Sequence, residues 1–128
     1  MFNILIVDSH PVYILKLESF LQKFSFREIL LASGGQEGLK KAILHRPPVV
    51  IVSAVLSDMT GEEFCWQVKE LAKVRTKIIV LAGLFVDEND MRKMKNRGAD
   101  EILMKKEKDL KPLEETIQRF LPQLFPPN

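Results

Sequence analysis

The stretch VVIVSAVLSDMTG, residues 49–61, decides the architecture. Its first four residues are apolar without a break and largely β-branched. A run of that kind reads as a strand covered on both faces, the habit of a parallel sheet. The run ends on Ser53, and a polar loop then leads to Gly61. In an α/β protein the carboxyl end of a central strand is where chemistry usually sits, so the first question is what a serine could do there. Working outward, four more short apolar runs occupy residues 4–7, 28–32, 78–81 and 101–104. Between them apolar residues recur at three and four: Leu17, Leu21 and Phe24; Leu39, Ala42 and Ile43; Phe64, Val68 and Leu71; Met91 and Met94. Leu113, Ile117, Phe120, Leu121 and Leu124 make the clearest amphipathic face, with Pro122 expected to fray or end that helix. Five strand–helix units with short connections predict an α/β fold, a doubly wound (βα)5 parallel sheet of order 2-1-3-4-5. That order opens a crevice between the tips of the first and third strands.

Composition narrows the function classes. A chain of 128 residues, 46% hydrophobic and 28% charged, builds one domain with a proper core. Residues 1–124 are read as that domain and residues 125–128 as a tail or the start of a linker. A net charge of +2 does not argue for direct nucleic-acid binding. The single cysteine, Cys65, excludes an internal disulfide and a thiolate metal cluster, and reads with the five methionines as core. No apolar run approaches membrane-spanning length, and the run at 4–7 is too short and lacks the basic flank of a signal sequence. A soluble, cytoplasmic protein with no membrane partner is expected.

The strand ends supply the candidate site. The first runs into Asp8-Ser9-His10-Pro11, the third ends at Ser53, the fourth at Ala82-Gly83 and the fifth at Lys105. One carboxylate, one ammonium, two hydroxyls and an alanine are thus expected around the crevice. Mg²⁺ prefers hard oxygens and usually takes one or two carboxylates, so a lone Asp8 beside Lys105 predicts an ion pair and no metal. Ser53 lacks a neighbouring base and a Gly-rich oxyanion turn, so no catalysis is expected of it. His10 is expected to face solvent or to cap a helix. Pro11 removes an amide from the first helix N-terminus, and no phosphate-binding glycine motif occurs.

Four segments, ILIVDSHP, RPPVVIVSAVLSDMTGEEF, KIIVLAG and RGADEILMKK, resemble the receiver domain of two-component response regulators, the CheY-like, flavodoxin-like fold. The resemblance spans essentially the whole chain, and RGADEILMKK is its most specific piece. It implies a phosphoryl-accepting signalling module, not an enzyme, whose partners are a histidine kinase, an output domain or another signalling protein. Residue by residue, the first of two acidic metal-binding positions matches Asp8, but the second is Ser9. The phosphoacceptor aspartate falls on Ser53, the phosphoryl-binding Thr or Ser on Ala82, and the lysine on Lys105. The switch aromatic of the fifth strand is Ile102, and the proline after the lysine is Lys106. Aspartyl phosphorylation needs a carboxylate nucleophile and Mg²⁺ to neutralise charge on the phosphoryl oxygens. The pattern therefore implies a pseudo-receiver: a protein–protein interaction module without a cofactor, with Mg²⁺ binding weak or absent. A working receiver phosphorylated on Asp58, and a flavodoxin-like cofactor binder, are the alternatives. Receivers commonly signal or dimerise through the face of helix four, strand five and helix five. That face would carry Arg92, Lys95, Ile102, Lys106, Lys108 and Lys111, suited to an acidic protein partner, and a homodimer through it stays open. Trp66 on the third helix is a further candidate anchor.

Overall fold

The computed structural model describes residues 2–106 and 108–124. The expected residues 125–128 tail lies outside the described residues. Five parallel strands, β1 (Ile4–Val7), β2 (Ile29–Ala32), β3 (Val49–Ser53), β4 (Lys77–Ala82) and β5 (Glu101–Met104), form one sheet in the order β2-β1-β3-β4-β5. Helices α1 (Pro11–Leu21), α2 (Gly35–His45), α3 (Gly61–Trp66), α4 (Glu88–Asn96) and α5 (Lys111–Leu124) connect and follow them.

Side chains alternate along the central strands and feed two cores. Leu5, Val7, Val50, Val52, Ile78 and Val80 pack against α2, α3 and α4 through Ala42, Phe64, Cys65, Val68 and Met94. Ile4, Ile6, Val49, Ile51, Ile79 and Leu81 meet α1 and α5 through Leu17, Leu21, Leu113, Ile117 and Phe120. The unbroken Val and Ile runs follow from this two-faced burial. Each such side chain is worth about 1.5–3 kcal/mol of transfer free energy, so register slips are strongly opposed. Ile6 is paired with Ile51, Val7 with Val52, and Ser53 with Leu81, which brings the strand ends level.

The motif RGADEILMKK has a structural basis before β5. Gly98 ends α4 at φ +119°, where a side chain is strained. The Asp100 carboxylate accepts the Ile78 amide at 2.8 Å and pairs with Lys69, tying the entry of β5 to that of β4.

Several details differ from the sequence expectation. After α3 the chain continues through a π-helical turn, Gln67–Leu71, with the Ala72 amide bonded to the Gln67 carbonyl at 2.8 Å. The wider turn carries Leu71 off the buried face into solvent, and Ala72 packs against the core in its place. Ile43 is also exposed, and Met104, expected in the core, is exposed on the edge strand β5. Helix α5 runs past Pro122 to Leu124, since proline fits helical φ and near the end of a helix forfeits only one bond.

Gly61 positions the β3–α3 connection. A Cβ there would stand 2.8 Å from the Ser53 carbonyl and 2.9 Å from the Ala54 Cα, both backbone atoms that cannot swing aside. Gly61→Ala is expected to cost about 1–3 kcal/mol in urea denaturation. An unchanged midpoint would show that the loop yields.

Candidate functional site

At the carboxyl ends of the strands a cleft of about 400 Å³ is lined by Asp8, Ser9, His10, Ser53, Gly83 and Lys105, with Val55 and Pro11 at its edge. Asp8, only 2% exposed, has both oxygens engaged: Oδ1 accepts the His10 amide at 2.9 Å and Oδ2 the Lys105 ammonium at 2.8 Å. The expected ion pair is therefore present. Lys105 also lies 4.5 Å from the ring centroid of Tyr13, whose hydroxyl donates to the Lys106 carbonyl at 3.0 Å. His10 caps α1, its Nδ1 accepting the Tyr13 amide at 3.2 Å, so the chain turns sharply above Asp8.

Ser9 works as a fastener. Its hydroxyl donates to the Ser33 carbonyl at 2.8 Å and accepts the Ser57 amide at 2.9 Å, joining the loops after β1, β2 and β3. Ser53 is buried at the β3 end, level with these groups. Ala82 is fully buried at the end of β4, and Gly83 takes its place in the wall of the cleft.

Asp58 is not turned toward the cleft. Its carboxylate accepts the Gly35 amide at 2.7 Å and the Gln36 amide at 2.9 Å, capping the N-terminus of α2 from another loop. The hydrogen bonds from Gln36 and Gly35 hold its pKa below the usual carboxylate range. Cys65 lies in the core, where burial pushes its thiol up to about 12 and leaves it unreactive at neutral pH.

The sequence profile of the response regulator receiver domain matches residues 4–118. The chain belongs to that family. It is 32% identical over 110 residues to the transcriptional regulatory protein LiaR of Bacillus subtilis, covering 84% of this chain and 51% of that protein. It thus spans about half of LiaR's length. It is 29% identical over 105 residues to protein PilH of Pseudomonas aeruginosa, covering 82% of this chain and 86% of that one. Among solved structures it is similar to the chemotaxis protein CheY4 of Vibrio cholerae, with a TM-score of 0.83 and 29% identity, covering 94% of this chain and 99% of that chain. Receivers of this family are signalling modules, and no described helix of this one is long and apolar enough to cross a membrane.

Receivers draw a divalent cation to this cleft with acidic side chains, and the donor set of this receiver fits such an ion poorly. Its one carboxylate in the cleft already accepts from an ammonium and an amide, and the remaining side-chain oxygens there are the hydroxyls of Ser9 and Ser53. No group of three His, Cys, Asp or Glu side chains able to hold a metal occurs among the described residues. Sequence reading placed Asp8, Ser53 and Lys105 together. It missed Tyr13, Ser33 and Ser57. Tyr13 carried a signal, since it lies four and eight residues before Leu17 and Leu21, on the same helix face.

Two predictions follow from this geometry. Lys105→Met leaves the Asp8 carboxylate buried with only the His10 amide, at an expected cost of about 1–3 kcal/mol. Adding Asp8→Asn should recover part of that in a double-mutant cycle by urea denaturation, whereas additive effects would show no coupling. Asp58, with its depressed pKa, stabilises the fold above the ordinary carboxylate pKa and loses that contribution as pH falls through its lower folded value. Asp58→Asn should therefore lower the urea midpoint at neutral pH, with the gap from wild type closing below about pH 4.

Proposed function

We propose that this receiver is a pseudo-receiver, a cytoplasmic protein–protein interaction module that signals without aspartyl phosphorylation and without a bound Mg²⁺. The observation that carries the reading is the closed charge balance of the cleft. Asp8 is neutralised by Lys105, and Ser9 spends its hydroxyl holding three loops together. At the strand-three position stands Ser53, un-ionised at neutral pH and without a base to activate it. Asp58 is a poor substitute phosphoacceptor, because its oxygens are committed to the α2 amides. A flavin or nucleotide gains little from the cleft either, since Pro11 occupies the first turn of α1.

In this reading the contact with a histidine kinase, an output domain or another signalling protein depends on surface, not on phosphorylation. Arg92, Lys95, Lys106, Lys108 and Lys111 are exposed and Ile102 is half-buried, which suits an acidic partner on the α4–β5–α5 face. The same module is expected to make no direct contact with nucleic acid.

An amide NMR titration with Mg²⁺, then with beryllofluoride as an acyl-phosphate mimic, tests the proposal. No shifts are expected near Asp8, Ser53 and Lys105 at millimolar Mg²⁺, and no labelling by acetyl phosphate. Saturable shifts spreading into α4 and α5 would overturn the reading. The combined replacement Ser9→Asp, Ser53→Asp and Ala82→Thr should tighten Mg²⁺ binding at least tenfold, about 1.4 kcal/mol, and restore labelling.

A further inference from the structure

Beside the cleft, and sharing Val55 with it, lies a second hollow of about 210 Å³ between α3 and α4. Its walls are Val55, Phe85, Val86 and Met94, and two carboxylates, Glu62 and Asp90, stand on its rim. The loop after β4 closes one side, held by a bond from the Val86 amide to the Gly83 carbonyl at 3.2 Å. That loop presents large apolar side chains to water: Phe85 is 99% exposed, Leu84 89% and Val55, across the hollow, 70%. Scattered apolar residues on a surface need no explanation, but exposed Phe85 and Val55 lining one concavity, with Leu84 next to Phe85 in the loop, mark a contact site. Asp87 and Glu88, before and in the first turn of α4, add carboxylates at the same end of the helix as Asp90.

We propose that this hollow, formed by Val55, Phe85, Val86 and Met94 under an acidic rim, receives an apolar side chain from an amphipathic protein segment flanked by lysine or arginine. Charge complementarity selects that occupant. Apolar walls take the anchor, and Glu62, Asp90 and the first turn of α4 offer carboxylates to cations on either side of it. This surface is distinct from the basic α4–β5–α5 face, where Arg92 and Lys95 lie on the far half of the same helix. It rests on the reading of the domain as an interaction module, but not on the cleft being silent toward Mg²⁺.

The molecule carries its own reporter. The guanidinium of Arg97 lies 5.3 Å from the ring centroid of Trp66, the single tryptophan, and 3.6 Å from the Glu62 carboxylate. A cation arriving at Glu62 competes for the partner of Arg97 and so alters the surroundings of the indole. The probe is a capped helical peptide of about 15 residues, with leucines at i and i+4 and lysines to either side, titrated into the whole chain. Saturable change in Trp66 fluorescence is expected, with amide shifts centred on Val55, Glu62, Phe85 and Met94. Phe85→Ser, at a side chain in full solvent, should weaken binding at least tenfold without changing the urea midpoint. Glu62→Gln with Asp90→Asn should weaken it several-fold, and a peptide with glutamates for lysines should not bind.

Binding that survives Phe85→Ser, shifts mapping elsewhere, or equal affinity for the glutamate peptide would overturn the proposal. So would self-association abolished by Phe85→Ser, which would make a second copy the occupant. Because Mg²⁺ is absent from this titration, its result and that of the Mg²⁺ experiment fail independently.

Discussion

Burial of the central strands on both faces is the constraint from which the rest of the molecule follows. Ile4–Val7 and Val49–Ser53 have no solvent-facing side, so polar side chains find room only where the strands stop. The parallel register then makes those stops coincide. With Val7 beside Val52, the next residues, Asp8 and Ser53, arrive level at one edge of the sheet. Lys105, whose amide is bonded to the Ala82 carbonyl at 2.8 Å, is delivered to the same edge from two strands away. The site is a by-product of registry, and each residue in it is supported by strands too tightly packed to shift.

That geometry raises an electrostatic problem, and this chain answers it in a particular way. Carboxylates gathered in a poorly solvated cleft repel one another, and they stay ionised together only when a cation lies among them. Here one carboxylate, Asp8, lines the cleft, with the Lys105 ammonium 2.8 Å away. The neighbouring Ser9 spends its hydrogen bonds on the loops at Ser33 and Ser57. The ion pair and these hydrogen bonds together make a consolidated polar cluster at the strand ends.

The fold was legible because two-faced burial leaves unbroken Val and Ile runs, and because helix periodicity stayed regular in α1 and α5. Legibility failed where the backbone departed from that regularity. Leu71 fits the 3.6-residue face that holds Phe64 and Val68, but a π turn between them rotates it outward, and side-chain pattern carries no sign of that turn. Met104 is apolar on an edge strand whose outer side meets little, a matter of strand order rather than of residue type. At the site, strand ends announce Asp8, Ser53 and Lys105. The roles of Asp58 and Ser57 depend on loop paths that bring residues about twenty and about fifty apart into contact, which local propensity does not encode. Asp58 was worth considering as a phosphoacceptor by its position in the chain, and its direction is given only by the fold.

The charges of α4 show how far ordinary helix physics explains the surface. Asp87 and Asp90 form a reciprocal cap, and acidic residues in the first turn with basic ones in the last suit the helix dipole. The gradient along α4 would therefore exist with no partner at all. The dipole gives no reason, however, for Leu84 and Phe85 just ahead of that helix to stand in water, where their apolar surface gains nothing from folding. Nor does it account for the exposed side chain of Val55, a residue whose backbone bridges to Thr60 across the turn. Helix stabilisation explains the carboxylates and leaves the apolar residues unexplained, and a bound segment with an apolar anchor between cations accounts for both at once.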